Sequence, residues 1–151
     1  MIHRKGFTLI ELLIVIAIIG VLAAVVSAAL NNARSRGNDA AIKSNLSSVR
    51  TQAELFYAVN GDYGPDFAVA SCPATGSTMF ALDNTIQNAL DGASMFATPQ
   101  CAADDGSAAV GDATSWAISA GISGDVFWCV DATGFAGSGT AAVINNVASC
   151  Q

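Results

Sequence analysis

The chain begins with an apolar run that constrains its fold more than any other feature. From residue 7 to residue 30 every position is apolar or small except Thr8, Glu11 and Ser27. At a helical rise of about 1.5 Å per residue, these 24 residues reach about 36 Å, enough to cross a hydrocarbon core of about 30 Å. We therefore expect a helix that can span a membrane.

One carboxylate, Glu11, interrupts this run near its start. An ionised carboxylate is costly inside a membrane, so such a residue usually has a partner and a function. A secretory signal peptide or a plain membrane anchor would gain nothing from Glu11. Both remain alternatives, because the basic start and the small residues 26–29 are also typical of a cleavable signal peptide.

The residues Lys5-Gly6-Phe7-Thr8-Leu9-Ile10-Glu11 resemble the processing site of type IV prepilins and of the pseudopilins of type II secretion. The resemblance implies that a dedicated membrane peptidase cuts after Gly6 and methylates the new amino terminus at Phe7. It also implies a partner for Glu11, which would neutralise the terminal amine of a neighbouring subunit in a filament. Looser similarities to pilins and pseudopilins lie in residues 55–63 and 128–134.

Charge is distributed unevenly along the chain. The basic residues 3–5 precede the apolar run, whereas beyond Gly37 eleven acidic residues face only Lys43 and Arg50, a net charge of −9. This pattern predicts a cytoplasmic leader and an exported acidic domain. Because such a domain repels phosphate backbones, we expect no direct contact with nucleic acid.

Four cysteines, all in the exported part, predict two disulfides. Three pairings are possible. We favour Cys72 with Cys101 and Cys129 with Cys150, because each closes a local loop and the second would tie down the C-terminus as in related pilins. A zinc site is disfavoured, since the chain has no CxxC pair and its single histidine, His3, lies in the leader.

The second half of the predicted helix is amphipathic. Its apolar residues recur at spacings of four and three, and they are Ile42, Leu46, Val49, Ala53 and Phe56. Such a stripe needs a sheet to cover it. Asp39 and Lys43 are predicted to form an i, i+4 ion pair. Because Asn60-Gly61 is a stop signal, we expect one helix from about Phe7 to about Val59.

Residues 62–114 are rich in Gly, Ala, Ser, Asp and Pro without a sustained period, so most of this segment is predicted to be loop. One short helix is expected within it, ending at Gly92. The residues that indicate it have helical spacing, and they are Leu82, Ile86, Ala89 and Leu90.

Alternation from Trp116 to Ala120, turn residues from Gly121 to Asp125 and the apolar run Val126–Val130 predict a β-hairpin. Residues Ala141–Val147 are expected to add a third strand. We interpret the aromatic residues of this region as core or sheet residues that cover the helical stripe, not as a ligand platform; they are Trp116, Phe127, Trp128 and Phe135.

The sequence favours no enzymatic activity, because it has no nucleophile motif, no phosphate-binding loop and no histidine beyond the leader. No cofactor is expected. Calcium remains an open alternative, since a flexible acidic loop offers the oxygen ligands that this ion requires. The residues concerned are Asp104, Asp105, Gly106 and Asp112, with Asp125 and Asp131 on the following hairpin.

The sequence as a whole predicts an α+β, pilin-like fold with disulfide-pinned loops. We expect a leader over 1–6, an apolar transmembrane and filament-core helix over 7–36, and a globular head over 37–151. The implied function is that of a type IV pilus subunit, held in the cytoplasmic membrane as a precursor and then assembled with identical copies by a dedicated machinery into a surface filament. A pseudopilin of type II secretion and a monomeric disulfide-bonded binding domain are the alternatives.

Overall fold

The computed structural model describes residues 6–72, 75–104, 111–139 and 149–150. Within these ranges the elements are, in order, α1 (Leu9–Asn60), β1 (Phe67–Ser71), α2 (Met79–Leu82), α3 (Asn84–Ser94), β2 (Gln100–Asp104), β3 (Ser115–Ile122), β4 (Val126–Asp131) and β5 (Ala136–Gly139). The chain divides into an N-terminal unit, Met1–Arg36, and a head, Gly37–Gln151.

The N-terminal unit contains the first half of α1. Leu, Ile and Ala favour this helix, and no proline interrupts it. Its large apolar side chains are exposed, from 46% for Val15 to 86% for Leu9. By length and composition α1 qualifies as a membrane-crossing helix within the described ranges. The predicted long apolar N-terminal helix is therefore confirmed.

The helix ends one residue beyond the predicted position, at Asn60. Gly61 has a φ of 86°, and its N–H donates to the carbonyl oxygen of Tyr57 at 2.8 Å. A glycine closes a helix in this left-handed conformation at little steric cost.

The predicted apolar stripe of α1 is buried in the head. Ile42, Leu46, Val49 and Ala53 belong to the main core together with side chains of the sheet, and Phe56 packs against them partly buried. The amphipathic half of α1 thus packs on a sheet, because a single apolar stripe on a polar helix is stable only when another layer covers it.

The sheet is an antiparallel meander in the order β1-β2-β3-β4-β5. The predicted hairpin is present as β3 and β4, which are joined by three residues at 123–125. Its turn is shorter than expected, because Gly121 pairs with Phe127 in the ladder and does not belong to the turn. Gly124 and Asp125 carry the positive φ values that a tight connection requires, 84° and 56°.

Both faces of the sheet are partly covered. Trp116, Ile118 and Ala120 alternate toward the core that contains α1. Ala117 points to the other face, where it forms a second cluster with Ala102 and Cys129. Small residues on this outer face blur the apolar alternation along β2 and β3, which is why sequence periodicity indicates the first face better than the second.

The segment 62–114 is more ordered than predicted. It contains two strands, β1 and β2, and two helices, α2 and α3, where the composition indicated mostly loop. β1 and β2 are five residues each and rich in alanine, so their intrinsic strand preference is low. They are held by ladder pairing and by the disulfide between Cys72 and Cys101.

The predicted short helix is α3, but its bounds differ from the prediction. It starts after Asp83, whose carboxylate Oδ1 accepts the N–H groups of Thr85 and Ile86 at 2.8 and 3.0 Å. Asp83 is therefore an N-cap, and Leu82 lies before the helix. Gly92 lies inside α3, which continues to Ser94, so the prediction that it ends the helix was wrong.

The fifth strand was not anticipated. β5 has the sequence Ala-Gly-Ser-Gly, which carries little strand preference, and it pairs with β4 in register. The strand expected at Ala141–Val147 lies outside the described residues.

Candidate functional site

The candidate processing point is open to its surroundings. A β-carbon at Gly6 would meet no atom within 4 Å, and the Phe7 side chain is 84% exposed. Gly6 and Phe7 precede the first turn of α1. A peptidase can therefore reach the bond between them without unfolding a helix. The rest of the expected leader, residues 1–5, lies outside the described ranges.

Glu11 caps the helix that follows. Its Oε2 accepts the N–H and the hydroxyl of Thr8, both at 2.9 Å. In return, the Thr8 Oγ1 accepts the N–H of Glu11 at 3.2 Å. This reciprocal arrangement is a capping box, in which a threonine at the N-cap and a glutamate three residues later satisfy each other's backbone donors. This cap was not predicted from the sequence, although the pattern T-x-x-E ahead of an apolar run is its signature.

The capping box leaves the negative charge of Glu11 in place. Both Thr8 donors bind the same oxygen, Oε2, so Oε1 takes no part in the cap. Around it lie the exposed side chains of Ile10, Leu12 and Leu13. A carboxylate in so apolar a surface is costly to bury without a positively charged partner.

The exposed apolar surface of α1 is unfavourable in water. The exposed large side chains continue along α1 to Val25, Val26 and Leu30. Soluble monomers rarely expose continuous apolar areas of this size, and such areas mark protein or membrane contacts. Lipid and other apolar helices are the two surroundings that can remove this surface from water.

The head is closed by two disulfides, Cys72–Cys101 and Cys129–Cys150, which use all four cysteines of the chain. The first joins Cys72, directly after β1, to Cys101 in the neighbouring strand β2. The second holds the C-terminal Cys150 against the outer face of the sheet. On the chain-entropy model each contributes about 3 to 4 kcal/mol.

Of the acidic residues considered for calcium, Asp131 is held in other contacts. Asp131 is buried, and its carboxylate accepts bonds from Thr133, Phe135 and Cys150. Asp125 lies in the turn between β3 and β4. No group of three or more His, Cys, Asp or Glu side chains in the described ranges is arranged to hold a metal ion. Asp105 and Gly106 lie outside them.

Polar residues of α1 fasten the helix to the sheet. Asp39 accepts both the N–H and the hydroxyl of Ser123, Lys43 Nζ lies 4.8 Å from the centre of the Trp128 ring, and Arg50 Nη1 donates to the Gly134 carbonyl oxygen at 2.8 Å. Asp39 and Lys43, predicted to pair with each other, thus also contact a turn of the sheet and an aromatic ring.

The pKa values of Asp39 and Tyr63 in the head are shifted by their surroundings. The hydroxyl and the N–H of Ser123 lower the pKa of Asp39, and Lys43 adds a smaller effect in the same direction. Burial, together with the negative charge of Glu54, raises the pKa of Tyr63 to about 12.

The four aromatic residues of the hairpin region divide into two pairs. Trp116 is fully buried in the main core, and Trp128 packs against that core partly buried. Phe127 and Phe135 lie on glycines instead, at Gly121 and Gly137. The expectation that all four cover the helical stripe was therefore wrong for the phenylalanines, which fill the space left by glycines in the sheet.

Comparison with known proteins places this geometry in context. The family described as "Prokaryotic N-terminal methylation motif" matches residues 1–27. The chain is 48% identical over 61 residues to the type IV wide pilus major component PilA4 of Thermus thermophilus, a match that covers 40% of this chain and 47% of that protein. It is 34% identical over 97 residues to the type IV major pilin protein PilA of Myxococcus xanthus, covering 59% of this chain and 44% of that protein.

The chain thus spans a little less than half the length of these relatives. No solved structure matches it significantly. The methylation motif, the α+β fold with its long apolar helix, and the match to these two pilins make the chain similar to type IV pilins.

Proposed function

We propose that this chain is a structural subunit of a type IV pilus. The peptide bond between Gly6 and Phe7 is cleaved, and the new terminal amine of Phe7 is methylated. Residues 7–36 then hold the precursor in the cytoplasmic membrane and afterwards form the core of a filament. Residues 37–151 form the head on the filament surface.

The observation that carries this proposal is the position of Glu11. It is a charged side chain on the apolar part of α1, four residues after the amine that cleavage would create, in a chain with the methylation motif. Neither a lipid anchor nor a signal peptide uses such a charge. A filament does, because a carboxylate and an amine from two copies can neutralise each other where apolar helices pack together.

The partners follow from the same chemistry. Identical copies cover the apolar surface of α1, a membrane peptidase and methylase processes the Gly6–Phe7 bond, and an assembly machine moves the helix from lipid into the filament. Burial against lipid is then exchanged for burial against identical helices. The role is structural, and the acidic head is not expected to bind nucleic acid directly.

The test is to shear the cell surface and to examine the detached material by electron microscopy and mass spectrometry. The proposal predicts fibres whose main protein begins with methylated Phe7. A matched Gly6→Val strain should keep the leader and yield no fibres. A mature terminus at Ala29, or this chain recovered only as a soluble monomer, would contradict the proposal. Loss of protein export without surface fibres would assign the chain to a secretion pseudopilus instead.

A further inference from the structure

Asp131, the last residue of β4, holds two separate parts of the head with its two carboxylate oxygens. The side chain is only 1% exposed. Oδ1 accepts the N–H of Thr133 at 2.9 Å, the hydroxyl of Thr133 at 2.6 Å and the N–H of Phe135 at 3.2 Å. These bonds fix the turn that leads into β5. Oδ2 accepts the N–H of Cys150 at 3.0 Å, nineteen residues further along the chain.

Cys150 is therefore attached to β4 in two ways. Its sulfur is bonded to Cys129, and its backbone N–H is bonded to Asp131. Cys129 and Asp131 are two residues apart on one strand, so their side chains share a face of the sheet. The hydrogen bond and the disulfide thus bring the same residue to the same place.

We propose that Asp131 is a positioning residue for disulfide formation, which holds Cys150 beside Cys129 before the two sulfurs are joined. The hydrogen bonds that Oδ1 accepts from the turn involve no cysteine. They therefore fix the orientation of the Asp131 carboxylate in the reduced chain as well as in the oxidised one. Oδ2 is then a fixed acceptor for the Cys150 N–H. A pre-organised acceptor of this kind raises the fraction of reduced molecules in which the thiols are adjacent.

The oxidation itself needs an external disulfide, such as oxidised glutathione. One cysteine thiolate attacks it, forming a mixed disulfide and releasing one glutathione thiolate. The other cysteine thiolate then attacks the mixed disulfide and releases the second. The cysteine pair loses two electrons and two protons, and one oxidised glutathione becomes two reduced molecules. Asp131 exchanges no proton or electron and acts only on the distance between the thiols.

The decisive variant is Asp131→Asn. Asparagine retains one oxygen for the three turn donors, while its NH₂ group replaces Oδ2 and cannot accept from Cys150. The full-length chain in detergent is equilibrated with glutathione buffers, its free thiols are trapped by alkylation, and each cysteine is quantified by peptide mass spectrometry. We expect the equilibrium constant for Cys129–Cys150 to fall about tenfold or more. The constant for Cys72–Cys101 should stay within about twofold, since that pair lies elsewhere on the sheet.

Thr133→Val is the matched control, because it removes one donor to Oδ1 and leaves Oδ2 with Cys150. Its effect on Cys129–Cys150 should be clearly smaller than that of Asp131→Asn. An equal effect of the two variants would assign the result to the turn and overturn the proposal. An equal fall of both disulfides in Asp131→Asn, or no fall, would also overturn it.

A second measurement leaves Asp131 unchanged and remains informative if Asp131→Asn does not fold. In Cys129→Ser the disulfide cannot form, so the hydrogen bond to Asp131 has to hold the Cys150 N–H without it. We expect the amide hydrogen of Cys150 to exchange at least about tenfold more slowly than in an unfolded chain. Exchange at the unfolded rate would show that Asp131 does not hold Cys150 without the disulfide.

Discussion

A β-carbon placed on Gly92 would lie 2.8 Å from Nδ2 of Asn45, so α3 approaches α1 through a contact that a glycine makes possible. Alanine normally stabilises a helix interior by about 0.5 to 1 kcal/mol relative to glycine. Here it would first have to displace the Asn45 amide. The close approach accounts for a glycine inside α3, where the sequence indicated a helix end.

We predict that Gly92→Ala alone changes the free energy of unfolding little, because displacing the end of the flexible Asn45 side chain offsets the gain in helix preference. In an Asn45→Ala background the same change should be stabilising by about 0.5 kcal/mol. Denaturant unfolding of the four variants in detergent measures this cycle. The same effect of Gly92→Ala in both backgrounds would show that positions 92 and 45 are not energetically coupled.

Two glycines with positive φ allow a second test. Gly64 has a φ of 95°, and a β-carbon there would lie 2.7 Å from the Ser77 carbonyl oxygen and from the Thr78 Cα. Gly61 has a φ of 86° but open space around it. Gly64→Ala should therefore cost about 3 kcal/mol or more, and Gly61→Ala about 1 kcal/mol. Equal costs in unfolding experiments would mean that the positive φ, and not the backbone contact at Ser77 and Thr78, determines the loss of stability.

The contact between Asp39 and Ser123 predicts a pH dependence of stability. The folded-state pKa of Asp39 is lowered, so the interaction stabilises the fold above the unfolded pKa of about 4 and is lost as the pH falls through the folded-state pKa. Ser123→Ala should raise the pKa of Asp39 toward its ordinary value in an NMR titration. Ser94→Ala, which removes a hydroxyl bonded to the Asp91 carbonyl oxygen, is the control. An unchanged Asp39 titration in Ser123→Ala would contradict this assignment.

Strong helical periodicity made the largest elements predictable. The run from Leu9 and the stripe at Ile42, Leu46, Val49 and Ala53 indicated α1 and its buried face, because large apolar side chains at a regular spacing report burial directly. The β3–β4 hairpin followed in the same way from its alternation and turn residues.

The elements that were missed lack such a signal. β1, β2 and β5 consist mainly of small residues, and their pairing depends on neighbours distant in sequence. The role of Asp131 depends on Cys150, which only the folded chain brings near. Local signals did exist for its turn, because Asp131-x-Thr133-Gly134 is typical of an Asx-turn. The T-x-x-E pattern likewise marked the capping box at Thr8 and Glu11.

In the candidate site, Glu11 combines two properties that can be separated by substitution. Glutamine can still accept from Thr8 and keeps the capping box, but it has no charge. Alanine removes both the cap and the charge. Thr8→Val removes the hydroxyl partner and leaves the charge. These three variants distinguish a helix cap from an assembly residue.

The most direct test of the central claim is the yield of sheared surface fibre from Glu11→Gln, measured beside membrane-inserted protein and the Phe7 terminus. We expect insertion and cleavage after Gly6 to remain normal, and fibre to fall by about tenfold or more, because an amine would be left without its carboxylate among apolar helices. Glu11→Ala should fail equally, and Thr8→Val should retain fibre. Normal fibre from a normally processed Glu11→Gln chain would contradict the assembly role of the Glu11 charge.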